Sequence, residues 1–73
     1  MTWTRNPINW YAALQIRAVG EDGARLIMHA VGVVHGDPIT RATKKYYAHG
    51  PRGVTDWHGT EEGAMAAYEA LGE

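Results

Sequence analysis

The chain has 73 residues, a formal net charge of −1 and no cysteine, serine or phenylalanine. These facts exclude disulfides and thiolate zinc sites, remove the usual nucleophiles of acyl transfer, and give none of the basic excess of a dedicated nucleic-acid binder. A single domain of this length buries only about 60% of the surface its unfolded chain exposes, so a lean core, a partner, or both is expected.

No apolar run approaches the roughly 18 residues of a transmembrane helix, and the N-terminal stretch lacks a signal-peptide core. A soluble cytoplasmic protein is therefore the expectation. Charge is unevenly placed. Between Pro38 and Gly53 stand Arg41, Lys44, Lys45 and Arg52 with no acid; from Val54 onward stand Asp56, Glu61, Glu62, Glu69 and Glu73 with no lysine or arginine. A basic and an acidic region follow from this pattern.

Residues 1–9 read as an extended N-terminal arm, because Pro7 restricts Asn6 to extended geometry. Trp3 is expected to fold back over the core or to wait for a partner. Trp10–Val19 alternates like a strand: Trp10, Ala12, Leu14, Ile16 and Ala18 share one face, and Tyr11, Ala13, Gln15, Arg17 and Val19 the other. Gly20-Glu21-Asp22-Gly23 is a hairpin turn. Ala24–His35 is the most apolar stretch, with Leu26, Met28, Ala30, Gly32 and Val34 on one side. Arg25, Ile27, His29, Val31, Val33 and His35 lie on the other, so both sides are apolar mid-strand, as in a strand covered on both faces. One helix covers only one face. Ile27, Val31 and Val33 therefore call for a second cover: the arm, a partner, or a homodimer through those three residues.

Pro38–His49 is readable two ways. Asp37, Pro38 and the Gly50-Pro51 stop suit a helix. Thr40, Thr43, Tyr46 and Tyr47 suit a strand, which is the favoured reading, with Arg41, Thr43, Lys45, Tyr47 and His49 on one polar face. Lys44 then falls on the core side, tolerable only at a sheet edge. Gly50-Pro51-Arg52-Gly53 is a turn with the glycine spacing of a KH-domain loop, but the strand expected after it does not suit that fold. Val54–His58 reads as a short strand. Thr60 is a good N-cap for a helix over residues 60–71, with Glu61 and Glu62 where the helix dipole favours acids. Ala64, Ala67, Tyr68 and Leu71 form its buried stripe, flanked by Met65. Gly63 is expected to permit close packing against Trp57. Trp10, Trp57 and Tyr68 are the rings expected in the core.

The fold expected is α+β: one domain over residues 1–73, an antiparallel three- to four-stranded sheet over residues 10–58, covered on one face by a single C-terminal helix. Asp56 and His58, two apart on a strand, are a weak catalytic pair with no serine or cysteine to activate. His29 and His35 are about 20 Å apart at strand rise, too far to share an ion. No enzyme activity, metal or cofactor is expected.

The remaining signal is a surface. Tyr11, Gln15, Arg17, Arg25, His29, Arg41, Lys45, Tyr47 and His49 are assigned to the face away from the helix. Basic residues interleaved with aromatics suit phosphates and bases. The string Trp57-His-Gly-Thr-Glu-Glu-Gly-Ala-Met-Ala-Ala-Tyr68 resembles the end of three-stranded DNA-binding domains of the plant ethylene-response and integrase-arm kind. There a strand runs through a Gly-Thr turn into a helix rich in Glu-Glu-Ala and Ala-Tyr. The likeness covers only the C-terminal fifth, the DNA-contacting strands show no matching motif, and no functional residue is carried over. Nucleic-acid binding is the second expectation. The first is a protein-binding module using Tyr11, Arg17, Arg25, Arg41, Lys45, Tyr47 and Arg52, since Tyr, Trp and Arg dominate interface hot spots. In size and composition the chain resembles phage- or mobile-element-encoded accessory proteins, including inhibitors such as anti-CRISPR proteins.

Overall fold

A computed structural model describes residues 1–34 and 36–72; His35 and Glu73, named above, lie outside the described residues. The α+β expectation holds, with more strands than expected. Strands β1 (Trp3–Arg5), β2 (Leu14–Gly20), β3 (Arg25–Val31), β4 (Thr43–Gly50) and β5 (Gly53–Val54) form one antiparallel sheet in the order β1-β2-β3-β4-β5. Helix α1 (Glu61–Ala70) lies on β4 and reaches β3. The extra strand is the arm, whose Trp3 pairs with Gly20; the strand expected over Val54–His58 is reduced to the two-residue β5 and an isolated bridge at His58.

The Gly20–Gly23 turn closes as expected. Gly23 has φ 90°, a left-handed conformation that favours glycine, and Asp22 Oδ1 accepts from Ala24 N at 2.9 Å. The strand reading of 38–49 is right from Thr43 onward. Ile39–Arg41 is instead a short 3-10 turn, so Arg41 is not part of β4's alternating face. Lys44 does lie on the core side, near the end of β4 opposite Ala30, half-buried with its Nζ 3.5 Å from Ala42 O. The Gly50–Gly53 turn joins two strands, which removes the KH reading.

The main departure lies in β2. Ile16 pairs with Ile27, but Ala18 pairs with Leu26, so Arg17 is an inserted residue: a β-bulge. The side-chain period of a strand is two, so one extra residue swaps faces. Leu14 and Ile16 therefore lie on the opposite side of the sheet from Ala18, not beside it. Arg17 and Gln15 do not face away from the helix as expected. Asn6 holds the bulge: its Nδ2 donates to Ile16 O at 3.1 Å, its N–H to Arg17 O at 2.8 Å, and its own carbonyl accepts from Arg17 Nη1 at 2.8 Å.

On the helix side, Ala18, Ala24, Leu26, Ala48, Ala64, Met65 and Tyr68 form the main core. Four of these are alanines, so the sheet surface is low and the helix sits close to it. Tyr68 fills the gap: it is fully buried, and Trp3 meets it edge-on with centroids 5.9 Å apart. A buried aromatic ring of about 150–250 Å² contributes roughly 4–6 kcal/mol at about 25 cal/mol/Å². Its hydroxyl donates to Asp22 Oδ2 at 2.9 Å and accepts from Arg52 N at 3.1 Å. That hydroxyl needs a glycine beneath it. A Cβ on Gly50 would stand 2.5 Å from Tyr68 Oη and 2.8 Å from Ala24 Cα. A smaller cluster, Met28, Ala30 and Ile39, continues the core beyond the helix, packed by Ile8, Ala13 and Val33. The arm and the 3-10 turn thus cover the helix side of the sheet.

Two rings expected in the core are not there: Trp10 is 46% and Trp57 52% exposed. With alanines under a close-lying helix, only Tyr68 and part of Trp3 fit. Gly63 does not make room for Trp57; its missing Cβ would meet Thr60 Oγ1 and His58. The cap is as expected, with Thr60 Oγ1 accepting from Gly63 N at 3.0 Å.

Gly50→Ala is expected to cost about 1–3 kcal/mol by overpacking, while Gly59→Ala, whose Cβ would meet nothing within 4 Å, is expected to be near neutral in urea melts. Asp22 carries a pH dependence. The Ala24 backbone N–H first, and then the Tyr68 hydroxyl, hold its pKa below the usual carboxylate range against the opposing effect of burial. A depressed folded pKa stabilises above the unfolded value of about 4 and loses that stabilisation as pH falls through the folded one. Asp22→Asn should therefore flatten the acid limb of a stability–pH curve; an unchanged limb would refute the assignment.

Candidate functional site

The face of the sheet away from α1 has no covering layer among the described residues. Register puts Leu14 and Ile16 of β2, Arg25, Ile27, His29 and Val31 of β3, Thr43, Lys45, Tyr47 and His49 of β4, and Val54 of β5 on it. Ile27, only 9% exposed, belongs to neither helix-side cluster; its open-face neighbours shield it. Leu14 at 65% and Val54 at 62% are exposed large apolar side chains at the two sides of this face.

Trp57 joins them through a second irregularity. His49 pairs with Val54, yet Tyr46 bridges to His58, so one extra residue lies between. Thr55 Oγ1 steps into the interrupted ladder, accepting from Ala48 N at 3.0 Å and donating to Asp56 O at 2.9 Å. His58 returns to the helix side opposite Tyr46, and Trp57 swings onto the open face. Its ring stands edge-on to Tyr47 at 4.8 Å and 6.0 Å from His29, while Tyr47 and His49 stack at 5.9 Å. Leu14, His29, Tyr47, Val54, Thr55 and Trp57 line an open groove of about 460 Å³.

Electrostatics divide the two sides. Behind the sheet three arginines are taken: Arg5 Nη1 meets Glu61 Oε1 at 2.7 Å, Arg17 Nε lies 3.6 Å from Glu61 Oε2, and Arg52 Nη1 donates to Glu69 O at 2.6 Å. Glu69 pairs with the terminal amine at 2.8 Å, whose hydrogen bond holds the carboxyl below its usual range. On the open face the side chains of Arg25 and Lys45 have no ion-pair or hydrogen-bond partner among the described residues, and none of the β2, β3, β4 and β5 residues that register puts there is an acid.

Of the residues singled out in the sequence, Arg25, Lys45 and Tyr47 come together here. Arg17 does not; the bulge turns it to Glu61, where its side chain is 12% exposed. Arg52 is held at the far end of the helix, its guanidinium 5.9 Å from the centre of the Tyr68 ring. Tyr11 is 69% exposed but lies in the turn before β2, and Arg41 ends the 3-10 turn; neither is on the face. Ile27, Val31 and Val33 do not make one surface, because Val33 packs into the helix-side cluster. Leu14 and Val54 were not singled out, and Trp57 was assigned to the core. Only the bulges put Leu14 and Trp57 there.

No side-chain hydrogen bond joins Asp56 to His58, and no group of three or more His, Asp or Glu among the described residues is placed to hold a metal ion. No described helix is long and apolar enough to cross a membrane. No protein-family model, curated protein or solved structure matches this chain.

A free surface tolerates polar substitution. Leu14→Ser and Val54→Ser are each expected to change stability by no more than about 0.5 kcal/mol, whereas Leu26→Ala in the core should cost about 2–5 kcal/mol. Paired urea titrations test this; a large loss at Leu14 or Val54 would mean the face is structural.

Proposed function

We propose that this chain is a non-enzymatic binding module that engages a protein partner through the open face of its sheet. The carrying observation is the groove in which Leu14, Val54 and Trp57, each more than half exposed, meet Tyr47. An apolar, aromatic centre with Arg25, Lys45 and His49 around it has the anatomy of a protein interface: desolvated anchors inside a polar rim. Branched aliphatic side chains at the centre suit another protein better than a phosphate backbone. An accessory or inhibitory role of the phage or mobile-element kind fits a module of this size.

A nucleic-acid ligand is the second reading, favoured by the absence of acids from the strand positions that form the face. It is weakened by the aromatic geometry. Tyr47 is engaged by both Trp57 and His49, leaving fewer free ring faces for base stacking.

Affinity capture with the full chain, beside a Leu14→Asp/Trp57→Ala variant shown to be folded, tests the reading. The expected outcome is a protein recovered by the wild type, lost by the variant, and bound directly when both are purified. Retention of DNA or RNA that weakens steeply between 50 and 200 mM salt would favour the second reading. A partner bound equally by the variant would sink the open-face assignment.

A further inference from the structure

Resting on that reading, we infer that the segment bound by the open face is acidic, with two carboxylates flanking one large apolar side chain. Three observations combine.

The first is the uneven disposal of charge. Arg5, Arg17 and Arg52 are each within ion-pair reach of an acid behind the sheet, at 2.7, 3.6 and 4.0 Å. Arg25 and Lys45 are exposed, unpaired among the described residues, and share a face on which the paired strand positions of β3 and β4 carry no acid. The net charge of −1 therefore conceals a two-sided molecule whose open side is cationic. Contacts in a low-dielectric interface strengthen pairing to an opposite charge and penalise a like one.

The second is spacing. Lys45 lies directly across from His29, and Arg25 directly across from His49. The two cations are thus four residues apart along the sheet, about 13 Å at a strand rise of about 3.3 Å. Ile27 and Tyr47 lie between them as a direct cross-strand pair, with the Leu14–Trp57 groove alongside. In an extended peptide, side chains two apart point the same way. A segment with acids at its first and fifth positions and a large apolar residue at the third therefore matches the face: carboxylates on Arg25 and Lys45, and the apolar side chain in the groove.

The third excludes a simpler occupant. A second copy docked face to face would bring Arg25 and Lys45 against the same cations and bury them without acids, a costly juxtaposition. Docking the acidic helix side of one copy on this face would be heterologous, and it would compete with acids already committed to Arg5 and Arg17.

The test is panning a displayed library of random twelve-residue peptides on the immobilised full chain and on an Arg25→Glu/Lys45→Glu variant. Both charges are exposed, so circular dichroism should show the variant folded. The expected result is wild-type enrichment of sequences with Asp or Glu on either side of a large apolar residue. A synthesised winner should lose at least tenfold in affinity on the charge-reversed variant and weaken with added salt. Enrichment of apolar sequences without acids, or equal binding to the variant, would overturn the acidic assignment while leaving the open-face reading intact. No enrichment by the wild type would overturn it too. Duplex or single-stranded DNA competing the peptide away at low micromolar concentration would transfer the face to a nucleic acid.

Discussion

Asn6 and Arg17 hold each other at the edge of the sheet, and much of the surface follows from that clasp. The inserted Arg17 must put its carbonyl, and that of Ile16, somewhere other than the regular ladder. Asn6 takes both, through its backbone N–H and its side-chain amide. An unsatisfied buried carbonyl costs about 1–3 kcal/mol, so the register shift is affordable only because the arm supplies those donors. Once the shift is fixed, β2 is divided. Ala18 faces the helix, where space is scarce, and Leu14 and Ile16 face outward. The extended arm therefore does not cover Ile27 and Val31; it supplies the edge strand that makes the face possible.

The same insertion sorts the charges. With Arg17 turned back, Glu61 is met by two guanidiniums, Arg5 and Arg17. At the other end of the helix, Arg52 takes the Glu69 carbonyl and approaches Asp22. The exposed pairs among these add little stability individually. Their consequence is spatial. Glu61, Glu62 and Glu69 are spent locally, so Arg25 of β3 and Lys45 of β4 are left without ion-pair partners among the described residues. A near-neutral chain thereby acquires one cationic side.

What the sequence disclosed and what it hid have physical causes. The helix was legible because its signals are local: Thr60 caps, Glu61 and Glu62 follow, and Ala64 and Tyr68 repeat at helical spacing. The outer face of β4 was legible because Thr43, Lys45, Tyr47 and His49 alternate cleanly. Leu26, Met28 and Ala30 marked the inner face of β3 equally well. The two bulges were not legible. In Trp10–Val19 both parities carry alanine and larger apolar residues, so neither registers as wrong when shifted by one. Trp57 follows a strand-like run, and only the ladder geometry at Thr55 shows that it changes sides. Trp10 and Trp57 were assigned to the core on size alone. A core of alanines beneath a close helix has room for one fully buried ring, and Tyr68 takes it with a hydroxyl that Asp22 and Arg52 can satisfy.

The sheet offers a partner two kinds of surface, its edges and its face, and the edges are poor. β1 has three residues and β5 two, so a strand added at either side would gain few backbone hydrogen bonds. The face has the opposite character. Its backbone is already paired in the ladder, so side chains alone determine what it binds. Trp57 and Tyr47 are partly preorganised by their edge-on contact, which lowers the ordering cost of presenting them. The apolar groups carried there contribute nothing to the helix-side core, and a fold this small could have buried a ring as large as Trp57 only by giving up its close-lying helix. Recognition by side chains on a rigid face, rather than by strand addition at an edge, is the mode that this distribution of hydrogen bonds and apolar surface leaves.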